Sequence, residues 1–248
     1  MHQIWFYTII SVIIVSLISF IGIITISIKQ ERLEKILIYL VSFTTGALFG
    51  GAFIHLIPEA AKSGFTIQVS ISILLGILIF FLVEKFIHWR HCHIPTSKKH
   101  VHNLSIMNLV GDGFHNFLDG LIIGASYLAS IPIGIATTLA VIFHEIPQEI
   151  GDFGVLLYGG FSRKKALFLN FLTALTAVLG AIIALVIGSY IDSIILFLVP
   201  FAAGGFIYIA GSDLLPELHK KFTVRGSIIQ LIMFVLGIVI MFLLTLME

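Results

Sequence analysis

The chain has 248 residues, of which 58% are hydrophobic and 11% charged, with a formal net charge of +1 and a mean hydropathy of +1.12. Soluble domains carry about 25% charged residues, so an ordinary globular protein is excluded, and the 22 phenylalanines among long Ile/Leu runs exclude disorder. The near-neutral charge offers no basic surface for nucleic acid, continuous apolar runs exclude a transmembrane β-barrel, and the single cysteine, Cys92, excludes an internal disulfide or a Cys-rich zinc module.

A helix that crosses a bilayer needs about 20 mostly apolar residues. The apolar runs predict eight such helices, near residues 5–28, 36–58, 65–88, 104–129, 133–160, 164–190, 194–216 and 226–247. The expected architecture is therefore an all-α, multi-pass membrane protein forming one domain over residues 1–248. The first run lacks the basic leader of a signal peptide and is long enough to span, so it is expected to stay in the mature protein. Of the 14 Lys and Arg residues, 13 fall in or beside the connections after helices one, three, five and seven, and only Lys62 lies on the other side. Basic residues are retained on the cytoplasmic side, which places both termini outside the cytoplasm. The short loops fit a plasma membrane, a bacterial inner membrane in particular.

Residues 46–59 (GALFGGAFIHLIPE) and 204–217 (GGFIYIAGSDLLPE) match at Gly46/Gly204, Ala52/Ala210, Leu56/Leu214, Pro58/Pro216 and Glu59/Glu217 without gaps. Helices two and seven run in opposite senses across the membrane, so the match reads as an inverted repeat of helices one to three and six to eight around helices four and five. Secondary transporters are often built this way, with their site near the midplane; similar helix-end geometry is the plainer alternative.

Ionisable residues inside a bilayer each need a polar partner, a cavity or an ion, and helices four and five hold most of them. At about 100° per residue, Asp112, His115, Asn116 and Asp119 form one stripe on helix four, while His144, Glu145, Gln148, Glu149 and Asp152 form another on helix five. Five carboxylates with no Lys or Arg in either helix interior call for a cation. His, Asp, Glu, Asn and Gln together suit a borderline divalent metal such as Zn²⁺, with Fe²⁺, Mn²⁺, Co²⁺ and Cd²⁺ close behind. The competing reading is that these groups only hydrogen-bond two helices together. Pro147 cannot donate to the carbonyl of Phe143 four residues back; the helix is expected to kink, and the freed carbonyl is open to an ion, a water or plain packing. Gly111, Gly113, Gly120, Gly124, Gly151 and Gly154 flank the stripes and are expected to permit close helix approach.

HNFLDG (residues 115–120) followed by HEIPQEIGD (144–152) on consecutive helices, with LIPEA and LLPE segments in helices two and seven, resembles the ZIP family of divalent metal transporters, and the resemblance covers nearly the whole chain. It implies import of Zn²⁺ or a related ion as transported substrate through a binuclear centre between helices four and five. His115, Asp119, His144 and Gln148 would form the primary site. Asn116 and Glu145 would serve a second site bridged by Asp119 and Gln148, with Asn170 as a further ligand. Gln148 departs from the family, where His or Glu is common, and Glu149 and Asp152 are placed either to compensate or to serve as relay positions for an ion leaving the site. The resemblance also implies a homodimer, in which helices one, four, five and six move against the other four.

HEIPQ is also one residue from the metalloprotease motif H-E-x-x-H, which makes an intramembrane zinc protease the rival from an enzyme class. Gln148 removes one of that motif's two His ligands, and the Asp-bearing segment here precedes the motif instead of following it. A metal-regulated channel or sensor is the third reading. No nucleotide-binding motif is present, so neither ATP coupling nor an organic cofactor is expected.

Outlying polar residues extend the expected path. His55 and Glu59 read as an entrance and their repeat counterparts Asp213 and Glu217 as an exit, with Asp112 and Asp152 as relay positions. The cytoplasmic connection at about 89–103, with the residues beside it, carries His88, His91, Cys92, His93, His100 and His102, a tract suited either to metal capture or to plain solvation.

Overall fold

A computed structural model describes residues 2–25, 30–62, 64–89, 98–190, 194–219 and 223–247, and these are helical apart from short connections. They form eight successive helical rods: α1 (2–25), α2 (30–60), α3 (Ile67–Trp89), α4 (Lys98–Ala129), α5 (Ile131–Tyr158), α6 (163–190), α7 (195–218) and α8 (224–247). There is no β-strand among the described residues. Seven rods are long and apolar enough to cross a membrane; the other is α4, whose polar stripe lowers its hydropathy. α4 also starts six residues before the expected boundary, because a helix can continue into polar residues that apolar patterning does not register.

Local chemistry sets the connections. Ser130 caps α5 by accepting from the Ile133 amide, with Pro132 in the first turn, so α4 and α5 are joined by one non-helical residue. Gly160, at φ 85°, makes the turn into α6, and Ser162 caps that helix through the Lys165 amide.

Helices α1, α4, α5 and α6 pack together, as do α2, α3, α7 and α8, and the two groups meet chiefly where α2 contacts α5 and α7 contacts α4. Within each group the closest crossings are made by glycine. A Cβ on Gly46 would come within 1.9 Å of the Phe234 carbonyl, and one on Gly237 within 2.1 Å of the Phe43 carbonyl, which sets α2 against α8. Gly76 and Gly204 do the same for α3 and α7, and Gly120 and Gly180 for α4 and α6. Of the glycines flanking the polar stripes, Gly120 and Gly124 act as expected. Gly151 and Gly154 do not, since a Cβ on either meets nothing within 4 Å.

The two repeated segments share a backbone irregularity that their sequences do not announce. α2 widens into a π-helical turn over Gly51–Leu56, and α7 does so over Ile209–Leu214, the matching positions of the alignment. Each returns to α-helix at the residue before its proline, Pro58 or Pro216. Such turns are rare and concentrate at functional sites.

Candidate metal centre

The polar stripes of α4 and α5 face each other inside the α1/α4/α5/α6 group. Asp119, Glu145 and Asn116 have no exposure, and His144 has 1%. The His115 side chain, at 15%, is the more open member.

Ligand atoms of His115, Asp119, His144 and Glu145 all lie within 4.8 Å of one another. The Nε2 atoms of His115 and His144 are 3.2 Å apart. His144 Nε2 is 2.9 Å from Asp119 Oδ2 and 3.4 Å from Glu145 Oε1, while His115 Nε2 is 3.6 Å from each of those oxygens. Four ligands about 2.0 to 2.1 Å from a tetrahedral zinc ion stand about 3.3 Å apart, so five of the six edges of this quartet fit that figure to within a few tenths of an ångström. His144 Nδ1 lies 3.2 Å from the Ala140 carbonyl, to which it donates as N–H. With the proton on Nδ1, Nε2 is the ring nitrogen that faces the quartet and is placed to ligate an ion.

The surrounding polar groups form a second layer. Asn116 donates to Asp112 Oδ1 at 2.8 Å, and the other Asp112 oxygen accepts from Thr173 of α6. Asn170, also on α6, donates to the Glu149 carboxylate and main-chain carbonyl and reaches Ser19 O of α1 at 3.5 Å. Eight buried side-chain polar atoms are without a hydrogen-bond partner among the described residues. Seven belong here, and all seven are oxygens: Asn116 Oδ1, Asp119 Oδ1, both Glu145 oxygens, Glu149 Oε1, Asp152 Oδ2 and Asn170 Oδ1. Leaving buried polar groups unsatisfied costs about 1 to 3 kcal/mol each. A cluster composed of acceptors alone is complemented by cations.

Of the four residues that the resemblance implies for a primary site, three belong to the quartet. Glu145 stands in the quartet with them, and Gln148 lines, together with His115, an adjoining cavity of about 210 Å³ whose wall also holds Glu84, Asn108, Asp112, Asp152 and Tyr208. Asp152 accepts from Asn108 at 2.8 Å, and Tyr208 donates to Glu84. His115 is the one quartet residue on that cavity wall. The edge of Phe80 meets the His115 ring at a 6.0 Å centroid distance, and Phe206 meets His144 at 6.4 Å.

Among the described residues, the outlying candidates His55, Glu59 and Glu217 are not brought into this cluster. His55 is buried at 2% and contacts the Met241 carbonyl of α8 at 2.7 Å; Glu59 pairs with Lys62 at 2.6 Å, and Glu217 is exposed. The side chains of His88, His91, Cys92, His93, His100, His102 and Asp213 lie outside the described residues. Sequence reading missed Thr173, Glu84, Asn108 and Tyr208. Thr173 was findable as the next residue on the Asn170 face of α6, three positions on; the others carried no distinguishing pattern.

Comparison with known proteins bears on the family. The family model described as ZIP Zinc transporter matches residues 2–105 and 91–245. Zinc transporter ZIP13 of Pongo abelii is 35% identical over 223 residues, covering 84% of this chain and 66% of the relative. Zinc transporter zipt-7.2 of Caenorhabditis elegans is 29% identical over 99% of this chain and 66% of its own length. Zinc transporter SLC39A7 of Mus musculus is 28% identical over 98% of this chain and 70% of its own. The chain thus spans about two thirds of the length of these relatives.

Proposed function

The chain belongs to the ZIP zinc transporter family, and from that premise we propose that it imports divalent metal, Zn²⁺ above all, into the cytoplasm by secondary transport. The observation that carries the reading is the quartet of His115, Asp119, His144 and Glu145, whose two imidazoles and two carboxylates suit zinc and its neighbours Fe²⁺, Co²⁺ and Cd²⁺, with Mn²⁺ less favoured. The unpartnered oxygens of Asn116, Glu145, Glu149 and Asn170 support a second, adjacent ion, with Glu145 contributing to both.

In this reading the cavity is the inner vestibule. It extends from His115 toward the end of α3, the first half of α4 and the last part of α5, the ends flanked by Lys85 and by Arg163, Lys164 and Lys165. Basic flanks mark the cytoplasmic face. Asp112 and Asp152, with Gln148, receive the ion there, while buried Leu48, Ala52, Ala140, Phe206 and Ile209 form an apolar wall on α2, α5 and α7. All eight rods cross the bilayer of a plasma membrane, with both termini outside. The paired π turns and the reciprocal glycine crossings of α2 with α8 and α7 with α3 support the inverted repeat. The homodimer rests on the family resemblance alone.

The protease reading loses its footing in the quartet. A general base must stand off the metal to activate water, yet Glu145 Oε1 is among the ligand atoms. The test is uptake of radioactive zinc into proteoliposomes by the wild type and by Asp119→Ala. Saturable accumulation lost in the variant supports the importer, whereas tight binding without accumulation returns the sensor and protease readings.

A further inference from the structure

Pro147 deprives the carbonyl of Phe143 of its helical donor, and this carbonyl belongs to the residue immediately before His144 and Glu145. α5 nevertheless runs unbroken through the proline. The carbonyl is satisfied from outside the helix: Thr44 Oγ1 of α2 donates to it at 2.8 Å. Thr44 is fully buried, and the rings of Phe43 and Phe143 meet edge to face beside it at 4.7 Å. Two neighbouring hydroxyls on α2 behave in the ordinary way. Ser42 bonds the Ile38 carbonyl and Thr45 the Val41 carbonyl, each four residues back in its own helix. Of these three, Thr44 alone reaches across to another helix.

We propose that Thr44 is a positioning residue of the metal site: its hydroxyl stands in for the amide hydrogen that Pro147 lacks and so holds the α5 turn bearing His144 and Glu145 in ligating register. The His144 ring is oriented by its own helix, through Nδ1 to the Ala140 carbonyl, so the direction of that ring follows the path of the backbone between residues 140 and 147. A bare, buried Phe143 carbonyl would pull this turn toward water or another donor and move both ligands. The inference rests on the metal-site reading given above.

The test compares wild type, Thr44→Val, Thr44→Ser, Pro147→Ala, the double variant Thr44→Val with Pro147→Ala, and Asp119→Ala. Zinc binding to the purified full-length protein is measured by competition with a fluorescent chelator, and uptake by radioactive zinc in proteoliposomes. An unsatisfied buried carbonyl is worth about tenfold in an equilibrium constant. Thr44→Val therefore raises the half-saturating zinc concentration for binding and the uptake KM about tenfold, and leaves the maximal rate per inserted protein within about twofold. Thr44→Ser, which keeps the donor, stays near wild type. Pro147→Ala restores an amide to the Phe143 carbonyl, so in that background Thr44→Val shifts affinity less than about threefold. Wild-type affinity in Thr44→Val, or an undiminished shift in the Pro147→Ala background, overturns the role assigned to Thr44. A lower melting temperature of the metal-free protein with unchanged zinc affinity, the mark of a merely structural contact, overturns it too. If Asp119→Ala binds zinc as the wild type does, the metal site itself falls, and this inference with it.

Discussion

Replacing Glu145 by Gln preserves side-chain shape and removes one charge from the quartet, and so separates it from Gln148 as the fourth ligand. A unit charge about 3 Å from a dication, in an effective dielectric of about 20, is attracted by about 11 kcal/mol. Against this stands repulsion by Asp119, whose ligand oxygen lies within 4.8 Å of that of Glu145, which returns about 3.5 kcal/mol. Desolvation of the fully buried carboxylate returns several more. A few kcal/mol survive, or about a hundredfold in zinc affinity. Gln148→Ala removes a neutral amide from the cavity wall and is expected to weaken binding by less than about fivefold. Chelator competition on purified protein reads both variants. A larger loss for Gln148→Ala than for Glu145→Gln would show that the amide, and not the carboxylate, completes the coordination, and would refute the geometric argument.

Further outcomes follow from the same structure. His115→Ala and Asp119→Ala are expected to abolish radioactive zinc uptake, each removing one of the four quartet ligands; residual saturable uptake above about a tenth of wild type would contradict this. The two-imidazole, two-carboxylate set predicts that Cd²⁺ and Co²⁺ compete with zinc uptake while a hundredfold excess of Mg²⁺ or Ca²⁺ does not, because the hard cations favour all-oxygen shells with higher coordination numbers. Asp152→Asn is expected to slow uptake several-fold with zinc affinity retained, since Asp152 lies on the cavity wall and outside the quartet; an equal loss of affinity would place it among the ligands. Gly120→Ala forces a Cβ to within 1.9 Å of the Ala177 carbonyl and is expected to destabilise by about 1 to 3 kcal/mol or to prevent folding. Gly154→Ala meets nothing and gains helix propensity of up to about 1 kcal/mol. Thermal unfolding in detergent compares the two.

Element type and order were legible because seven of the eight rods are long, strongly apolar runs, α4 being the one with a polar stripe, and the charged connections between them are short. The polar stripes on α4 and α5 were legible for the converse reason: in a chain with so few charges, buried Asp112, Asp119, Glu145 and Glu149 stand out. What patterning could not deliver was the assignment of ligands within a stripe. His144 and Gln148 lie one turn apart on one face, as do Glu145 and Glu149. That His144 and Glu145, one from each pair, both come near His115 and Asp119 depends on the rotation of α5 about its axis, which close packing against α1, α2 and α4 sets. The π turns escaped for a related reason. One extra residue in a turn leaves composition unchanged, and only their recurrence at matched positions marks them.

The same limit explains why Pro147 was readable and Thr44 was not. The loss of a donor is a property of one residue and its own helix, so the orphaned Phe143 carbonyl follows from the sequence alone; the replacement donor comes from about a hundred residues earlier in the chain and is a fact of packing. This asymmetry bears on how the centre works. Asn116, Asp112, Glu149 and Asn170 are tied to one another and to Thr173 and Ser19, all within α1, α4, α5 and α6. The Thr44 bond instead crosses to the other group of helices. If the two groups shift relative to each other during transport, the internal ties travel with the ligands while the bond to Phe143 has to break. Zinc affinity is then coupled to the position of α2, strongest where Thr44 holds the α5 turn and weaker once it lets go.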